Sequence, residues 1–481
     1  MRLLAALLLL PLLGAGLAAF ALPHTAPAAP PAVPLAPRTF THLVCPDLAG
    51  TKALPLEKCN VRATVDSGPA NEIDLALDPK DPLHMVVVGK GYKDTRLVGS
   101  DFNGGVITPY ATSFDGGLTW TEGFLQSLGT SVTLPVLGDI GATPHRESDP
   151  VVEFAPDGSL LVLTLRVGGG GGLPLYRSTD GGLTFTEFAN AYPHSTDKEW
   201  IVADRVSGNL YLATLDDQGG MGFEKSSDGG ATWSAPVHIC DCVFPAIDVG
   251  PKGEIYAVGF DGSNLQFTKS LDRGATWTPA RVIQQHNAVD WNTGNLRAYR
   301  TTNIQQLAVD PASGALYLVW AQHPLGSAQV VCLGLPPPGV GCVSVPDTDI
   351  VLSRSTDGGA TWSAPQVVND DATSPVSLQF MPAVAVSPRG DVHVAWLDQR
   401  NDPTGLTTQT YYAHSSDGVH FDANLLVSDL PSPTVVSHHQ SATNLNFVGD
   451  YLGLSATDGK AVVAWPDGRY GRDDIFVATI Q

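Results

Sequence analysis

Basic residues are scarce in this 481-residue chain, which has 27 lysines and arginines against 48 aspartates and glutamates. The formal net charge of −21 disfavours nucleic acids and anionic membranes as partners, because both are themselves negatively charged. Beyond the first 21 residues, no stretch reaches the roughly 18 apolar residues that a membrane-spanning helix needs. We therefore expect no nucleic-acid partner and no membrane insertion.

The sequence also lacks the patterns of several ligand sites. No group of His and Cys has the spacing of a zinc site, and no twelve-residue calcium loop is present. The glycine run at residues 168–172 follows a strand without the phosphate-binding pattern, and we interpret it as a loop. We expect no metal ligand set and no required cofactor, while the acidic pairs Asp216-Asp217 and Asp473-Asp474 leave bound Ca²⁺ open.

The N-terminus has the pattern of an export signal. An apolar run at residues 3–17 follows Met1 and Arg2, and small residues surround a cleavage site after Ala21. Residues 22–58 then form a Pro/Ala-rich tether and a lead-in that carries cysteines. The sequence predicts a secreted protein, extracellular or periplasmic, whose remaining domain is residues 59–481.

Cysteine is rare, with six residues in the chain. In an exported protein the oxidising environment allows cysteines to form disulfides. Six cysteines allow fifteen pairings. Their spacing favours three local pairs, with a zinc site as the alternative for the third: Cys45 with Cys59, Cys332 with Cys342, and Cys240 with Cys242.

One octapeptide, S-x-D-x-G-x-T-(W/F), recurs five times, and a sixth copy at residues 415–421 lacks the second Gly and the Thr. Each copy predicts a tight hairpin in which the Asp carboxylate accepts backbone N–H bonds and a Gly adopts positive φ. We interpret the six Asp residues as structural: Asp115, Asp180, Asp228, Asp272, Asp357 and Asp417.

These octapeptides resemble the Asp boxes, or BNR repeats, of the sialidase (neuraminidase) superfamily of β-propellers. The resemblance covers the chain from about residue 70 to the C-terminus. It implies an all-β propeller of four-stranded blades and, if the chain is an enzyme, a glycoside hydrolase of exo-α-sialidase type.

The number of blades follows from a second repeat, a strand–turn–strand unit that occurs seven times. Six units are followed by a third strand, an octapeptide and a fourth strand, whereas the seventh is followed by a single strand at 474–480. A strand at residues 60–66 is the best candidate to cover that open edge. We predict seven blades closed by this N-terminal strand, with the six blades of sialidase catalytic domains as the alternative.

The long connections all fall on the face opposite the octapeptides, so we place the site on that face, around the axis. The catalytic candidates there are Tyr451, Glu72, Asp149 and Asp450. The ligand-binding candidates are Arg146, Arg300, Asp398, Arg400, Asp467 and Arg469. In the alternative interpretation, the Asp398–Arg400 and Asp467–Arg469 pairs hold neighbouring blades together.

The sialidase pattern has three arginines on the substrate carboxylate, a Tyr–Glu nucleophile pair and an Asp acid/base. Tyr451 is the nucleophile candidate, but residues 71–74 read Asn-Glu-Ile-Asp where the family has Arg-Ile-Pro. A two-carboxylate glycosidase using Glu72, Asp149 or Asp450 is the other enzymatic interpretation.

We therefore predict a secreted, sialidase-like propeller, monomeric, that recognises an extracellular glycan or glycoprotein and, as an exo-glycosidase, hydrolyses it. The alternative is a non-catalytic propeller that binds carbohydrate or protein as a scaffold.

Overall fold

The structure is a computed structural model. It describes residues 40, 42–45, 59–65, 68–92, 106–125, 146–167, 171–194, 196–286, 299–300, 304–324, 330–331, 343–344, 347–371, 377–402, 404–434 and 446–481. All of these belong to the larger of two units of the chain, Thr39–Gln481. The predictions for the signal peptide and most of the tether lie outside the described residues.

The described part is built from strands arranged as seven antiparallel blades. Two short strands come first: β1 (Leu43–Val44) and β2 (Val61–Arg62). The first blade, from the axis outward, is β3 (Ala70–Leu77), β4 (Met85–Tyr92), β6 (Pro109–Ser113) and β7 (Thr121–Phe124), with β5 (Val106–Ile107) beside β4. The second blade is β8 (Arg146–Phe154), β9 (Leu160–Val167), β10 (Leu173–Ser178) and β11 (Thr186–Tyr192).

The third to fifth blades repeat this order. The third is β12 (Glu199–Ala203), β13 (Leu210–Leu215), β14 (Met221–Ser226) and β15 (Val237–Cys240). The fourth is β16 (Val243–Val249), β17 (Ile255–Phe260), β18 (Asn264–Ser270) and β19 (Arg281–Gln285). The short strand β20 (Tyr299–Arg300) follows. The fifth blade is β21 (Gln306–Val309), β22 (Leu316–Gln322), β25 (Asp349–Ser355) and β26 (Gln366–Val367). A small hairpin of β23 (Val330–Val331) and β24 (Val343–Ser344) lies between β22 and β25 in the chain.

The sixth blade is β27 (Gln379–Val386), β28 (Val392–Asp398), β29 (Thr407–Ser415) and β30 (Leu425–Leu426), with β31 (Ser432–Pro433) also beside β29. The strand β32 (Asn446–Phe447) pairs in parallel with β20. The seventh blade is β33 (Gly453–Ala456), β34 (Ala461–Asp467) and β35 (Asp474–Ile480). Within the described residues, we find no helix of the length and apolarity needed to cross a membrane.

The N-terminal strands fill the outer position of the seventh blade. Both lie antiparallel to β35, with Leu43 opposite Ile480 and Val61 opposite Val477. The prediction of seven blades closed from the N-terminal side is therefore confirmed. The closing strand is shorter than the expected 60–66, and a second piece at β1 accompanies it.

Two of the expected cysteine pairs are present as disulfides, Cys45–Cys59 and Cys240–Cys242. The first joins the end of β1 to the start of β2, so it fixes the two closing strands to each other. Cys332 and Cys342 lie outside the described residues.

Apolar side chains fill the spaces between adjacent blades and supply most of the stabilisation, because strands of one blade cannot bury both of their faces alone. Trp320, Trp396 and Trp465 occupy the same position in the second strands of the last three blades and are fully buried.

The octapeptide turns are held by the hydrogen bonds that their sequence predicts. In the first copy, Thr119 N donates to Asp115 Oδ1 at 2.9 Å, and Gly117 N donates to Ser113 Oγ at 2.9 Å. In the sixth copy, His420 stands in for the missing Thr, with Nδ1 2.8 Å from Asp417 Oδ2. Neighbouring blades also bind these turns: Lys269 Nζ donates to Gly358 O at 2.6 Å.

Candidate functional site

The innermost strands begin on the face opposite the octapeptide turns, and several begin with a strained residue. Glu72, Asp149, Lys198, Phe244 and Met381 have φ between 51° and 55° at this repeated position. Left-handed backbone at a non-glycine residue costs on the order of 1–3 kcal/mol. The first three of these residues belong to consecutive blades and are charged types, whereas Phe244 and Met381 are apolar.

Glu72 and Asp149 form a buried pair of carboxyl groups. Their residues are 1% and 7% exposed. Ser148 Oγ donates to Asp149 Oδ1 and lies 3.4 Å from Glu72 Oε2. Lys90 Nζ lies 3.6 Å from Glu72 Oε2. The two carboxyl groups therefore share a hydroxyl partner and stand beside an ammonium group.

The surroundings drive the two pKa values apart. Burial raises the pKa of Glu72 well above its usual value, and Asp149 adds to the effect while Lys90 opposes it. Burial also acts to raise the pKa of Asp149, but Lys198, Lys90 and hydrogen bonds from Ser148 and Glu72 hold that pKa below its usual value. The opposite shifts favour the proton on Glu72 over Asp149, with a hydrogen bond between the two carboxyl groups that lowers the pKa of Asp149.

The ammonium group of Lys198, at the start of the third blade, lies over the ring of Tyr451, which precedes the seventh blade. Lys198 Nζ lies 3.4 Å from the ring centroid of Tyr451 and 4.6 Å from that of Trp200, close enough for cation–π attraction. Tyr451 Oη donates to Pro150 O at 3.1 Å. Burial, together with Asp149 and Glu72, raises the pKa of Tyr451 well above its usual value.

Glu199, the next residue, is fully buried, and neither of its carboxyl oxygens has a hydrogen-bond partner among the described residues. Burial and the nearby Asp149 raise its pKa well above the usual value. We use the name axial cluster for six residues: Glu72, Lys90, Asp149, Lys198, Glu199 and Tyr451.

Two further carboxyl groups, those of Asp450 and Asp197, lie next to the axial cluster on its more exposed side, and we call them the rim. Asp450 is half-buried and Asp197 is exposed. Carboxyl groups thus extend from the buried pair to the protein surface.

A cavity of about 280 Å³ lies on the axis, lined by the innermost strands of all seven blades. Its carboxyl groups are already hydrogen-bonded: Val152 N donates to Asp74 at 2.8 Å, and Arg205 Nη2 donates to Glu153 at 2.7 Å. Burial raises the pKa of Asp74 to about 6 and that of Glu153 to about 7.

Arg469 lies away from the axis, and each nitrogen of its guanidinium group donates a hydrogen bond to a side-chain oxygen. Its Nε and Nη2 donate to Asp467, its Nη1 donates to Asp429 Oδ1 at 2.6 Å, and its Nη2 also donates to Asn60 Oδ1 at 3.0 Å. Because Asp429 follows β30 of the sixth blade and Asn60 precedes β2, the guanidinium ties two blades and the closing strand together.

Arg400 repeats this arrangement one blade earlier. Its Nε donates to Asp398 Oδ2 at 2.9 Å, its Nη1 to Asp370 Oδ1 at 2.7 Å, and its Nη2 to Asn424 Oδ1 at 3.1 Å. We call the two groups centred on Arg400 and Arg469 the outer clamps. Their contacts are those of the blade-holding interpretation, and their assignment as ligand-binding residues stays a prediction.

The structure brings all four catalytic candidates, Glu72, Asp149, Asp450 and Tyr451, to the axis. The six ligand-binding candidates do not join them in one group. Four form the outer clamps, while Arg146 and Arg300 lie on β8 and β20 with side chains outside the described part. Most of the long connections also lie outside it.

Three members of the axial cluster, Lys90, Lys198 and Glu199, are not among the candidates that the sequence analysis selects. Lys198 was recognisable in principle, because it occupies the same position in its strand–turn–strand unit as Glu72 and Asp149. Among the described residues, no three His, Cys, Asp or Glu side chains are placed to hold a metal ion. Bound Ca²⁺ stays a prediction.

No family model and no curated protein matches the chain. Solved structures with similarity include an ulvan lyase of a polysaccharide lyase family, 14% identical over 87% of this chain and 95% of the other, with a TM-score of 0.48. An α-L-arabinofuranosidase of Fusarium graminearum is 12% identical over 88% and 97%, with a TM-score of 0.42. An α-L-arabinanase of Penicillium chrysogenum is 13% identical over the same shares, with a TM-score of 0.39. These neighbours are carbohydrate-active enzymes, but likenesses this remote say nothing about the chemistry of the axial cluster.

Proposed function

We propose that this protein is an exported glycosidase that removes a sugar from an extracellular glycan at the axial cluster. The observation that carries the proposal is the Glu72–Asp149 pair, two carboxyl groups whose surroundings push their pKa values in opposite directions. Such a pair supplies a proton donor and an anion side by side, which is the pattern of acid–base sites.

In this proposal Glu72, which keeps its proton, is the general acid. The acid and the second carboxylate of a glycosidase stand about 5–5.5 Å apart in retaining enzymes and about 6.5–9.5 Å apart in inverting ones. Two carboxyl groups that share a hydrogen bond are too close for this. Glu72 and Asp149 therefore act as one unit, and the second carboxylate comes from the rim, from Asp450 or Asp197.

The described contacts favour two-carboxylate chemistry over the sialidase type. The hydroxyl of Tyr451 is engaged by Pro150 O and its raised pKa keeps it protonated, which does not suit a nucleophile. The cations beside the pair are Lys90 and Lys198, where the sialidase pattern has arginines that fork onto a carboxylate.

The test is hydrolysis by the purified mature protein of a fluorogenic sialoside and a panel of other aryl glycosides. Glu72→Gln preserves shape and should lower kcat/KM by about 10²–10⁴ for the substrate that is cleaved. Glu153→Gln is the control, a half-buried axial glutamate with a raised pKa that lies outside the cluster, and it should retain activity. A folded wild-type protein that cleaves nothing in a broad panel would contradict the proposal.

The second candidate is a non-catalytic glycan-binding propeller. The observation in its favour is the burial of the pair, since Glu72 and Lys198 are each only 1% exposed. Binding of glycans on an array without turnover, and with the same affinity in Glu72→Gln, would support this candidate over the first.

A further inference from the structure

We propose that Ser148 is a positioning residue of the axial cluster, whose hydroxyl group holds the carboxylate of Asp149 in place beside Glu72. The inference rests on the proposed function, because it concerns the same pair of carboxyl groups. It adds a third residue to the pair and assigns the hydroxyl proton to one carboxyl group rather than to both.

The first argument is the shape of the strand at Ser148. In a regular strand, successive side chains point to opposite faces of the sheet, so residues 148 and 149 would point away from each other. The pairing of β8 with β9 is regular as far as Ser148, opposite Leu165, and shifts register before Val151. Asp149 lies in this bulge with φ 51°. The bulge therefore re-aims the side chain of Asp149 so that Ser148 Oγ can donate to Asp149 Oδ1.

The second argument is that the backbone shape does not itself require a serine. Left-handed backbone is unfavourable at Asp149, and the following proline pushes this residue toward extended backbone. Phe244 and Met381 occupy the same kind of bulge in the fourth and sixth blades, and each also precedes a proline. The residues before them are Val243 and Phe380, whose side chains have no hydrogen-bond donor. We therefore relate the hydroxyl at position 148 to the carboxylate beside it.

The third argument is how the hydroxyl is placed between the two carboxyl groups. Ser148 Oγ donates to Asp149 Oδ1 but lies 3.4 Å from Glu72 Oε2, beyond the usual O–H···O range of about 2.5–3.0 Å. A hydroxyl has one proton to donate, so that proton goes to Asp149. Hydrogen bonds to an ionised acceptor are stronger than those to a neutral one. The contact therefore favours negative charge on Asp149 and leaves Glu72 as the member of the pair that carries the proton.

Ionisable groups from other strands also face the pair. Lys90 Nζ lies 3.6 Å from Glu72 Oε2. Lys198 Nζ has no hydrogen-bond partner among the described residues, so its ammonium group does not donate to Asp149. The hydroxyl of Ser148 does, and its removal should affect Asp149 in particular. The remaining ionisable groups are Asp197, Glu199, Asp450 and Tyr451.

The experiment compares pH profiles of kcat/KM for wild type, Ser148→Ala and Ser148→Thr, using the best aryl glycoside of the panel. Loss of the hydroxyl should move the acidic limb, which reports the first ionisation of the pair, upward by about 1 pH unit. The basic limb should move less, because it reports loss of the proton from Glu72. At the optimum, kcat should fall by about 10- to 100-fold with little change in KM, because a carboxylate out of place weakens the transition state. Ser148→Thr keeps a hydroxyl and should return the acidic limb toward its wild-type position.

The matched control is Ser387→Ala. Ser387 is also fully buried, and its Oγ lies 3.4 Å from Asp391 Oδ2, outside the axial cluster. This variant should lower stability and leave both limbs in place. If Ser148→Ala does not fold, Ser148→Cys replaces it, because a thiol is only a weak donor.

Three results for Ser148→Ala would overturn the inference. A rise in KM with both limbs in place would make Ser148 a substrate ligand. A fall in kcat/KM by the same factor at every pH would make its role structural, and an unchanged profile would show that the pair does not depend on the hydroxyl.

A second measurement does not depend on activity, so it separates this inference from the proposed function. In urea unfolding at pH 7, the effect of Ser148→Ala should shrink in an Asp149→Ala background and persist in a Glu72→Ala background. Equal effects in both backgrounds would overturn the inference even if the protein is an active glycosidase. The expected pattern in a protein without turnover would uphold the hydrogen bond and remove only the proposed reaction.

Discussion

The outer clamps and the axial cluster both bury charge, but they differ in how completely that charge is hydrogen-bonded. Every guanidinium nitrogen of Arg469 and of Arg400 has an acceptor. In the axial cluster, Lys198 Nζ and both carboxyl oxygens of Glu199 have no such partner among the described residues. Saturated charges hold a fold together, whereas buried polar groups without hydrogen bonds cost stability and are more common at functional sites.

The largest expected effect is on the more buried clamp. Arg469→Ala leaves the fully buried Asp467 without its cation, and Arg469 itself is only 2% exposed at its side chain. Breaking a buried ion pair from one side costs about 3–5 kcal/mol, to be measured by urea unfolding. A variant with unchanged stability and reduced glycan binding would restore the ligand-binding interpretation of Arg469.

Arg400→Ala should have a smaller effect on the same measurement, about 2 kcal/mol, because water can replace part of what is lost. The Arg400 side chain is 11% exposed, and its partner Asp370 is 47% exposed. If the two variants lost equal stability, burial would not explain the strength of the clamps.

The third effect concerns Glu224, a buried glutamate outside the axial cluster whose carboxyl group also has no hydrogen-bond partner among the described residues. Glu224 is 1% exposed, neither oxygen has a described hydrogen-bond partner, and burial together with Asp216 raises its pKa to about 8. A raised folded-state pKa stabilises the protein below the unfolded value of 4.5, and this contribution is lost as the pH rises toward 8.

The free energy of unfolding of the wild type should fall between about pH 4.5 and 8, and Glu224→Gln should make this fall less steep. The difference in slope between the two proteins should be at most about 1.4 kcal/mol per pH unit. Thermal unfolding of wild type and variant across that range measures it, with Glu187→Gln as the control for a less buried glutamate. Parallel pH curves for wild type and Glu224→Gln would show that Glu224 ionises in the folded protein as it does in the unfolded chain.

The smallest effect belongs to a saturated but exposed charge. Asp357 accepts hydrogen bonds from Thr361 N, Thr361 Oγ1 and Ser355 Oγ, which lower its pKa, but solvent competes for all of them. Asp357→Ala should lower the melting temperature slightly and spare any activity, because the turn lies on the face away from the axial cluster. Loss of activity with an unchanged melting temperature would mean that our assignment of the site to the opposite face is wrong.

The blades were predictable because their signals are local. The Ser, Asp, Gly and Thr of the octapeptide form hydrogen bonds with one another within a few residues, so the local sequence is enough to predict the turn. The closing strand at residues 60–66 was found by counting unpaired edges, and only β2 of it forms. The companion strand β1 has two residues, too few to show any alternation of apolar and polar side chains.

The axial cluster was predictable only in part. Glu72, Asp149, Asp450 and Tyr451 were chosen because they flank the starts of innermost strands, which must converge in any propeller. The local Asp–Arg pairs 398/400 and 467/469 suggested that these arginines hold blades together, and each arginine does bond the aspartate two residues before it. The sequence did not indicate that Lys198 would lie over Tyr451, or that Arg469 would also bond Asp429 and Asn60. Those contacts join residues from different blades, and no local pattern records them.

The closure of the seventh blade also constrains how the molecule is made. Arg62 bonds to Asp474 across 412 positions of sequence, and His42 N and Gln481 N donate to each other's carbonyl groups at 3.1 and 2.9 Å. These contacts cannot form until the last strand has emerged, since synthesis proceeds from the N-terminus. The early strands must wait with an unpaired edge, and a chain-spanning loop of this length makes closure a slow step. During that interval the seventh blade is the place where a neighbouring chain can add a strand in error.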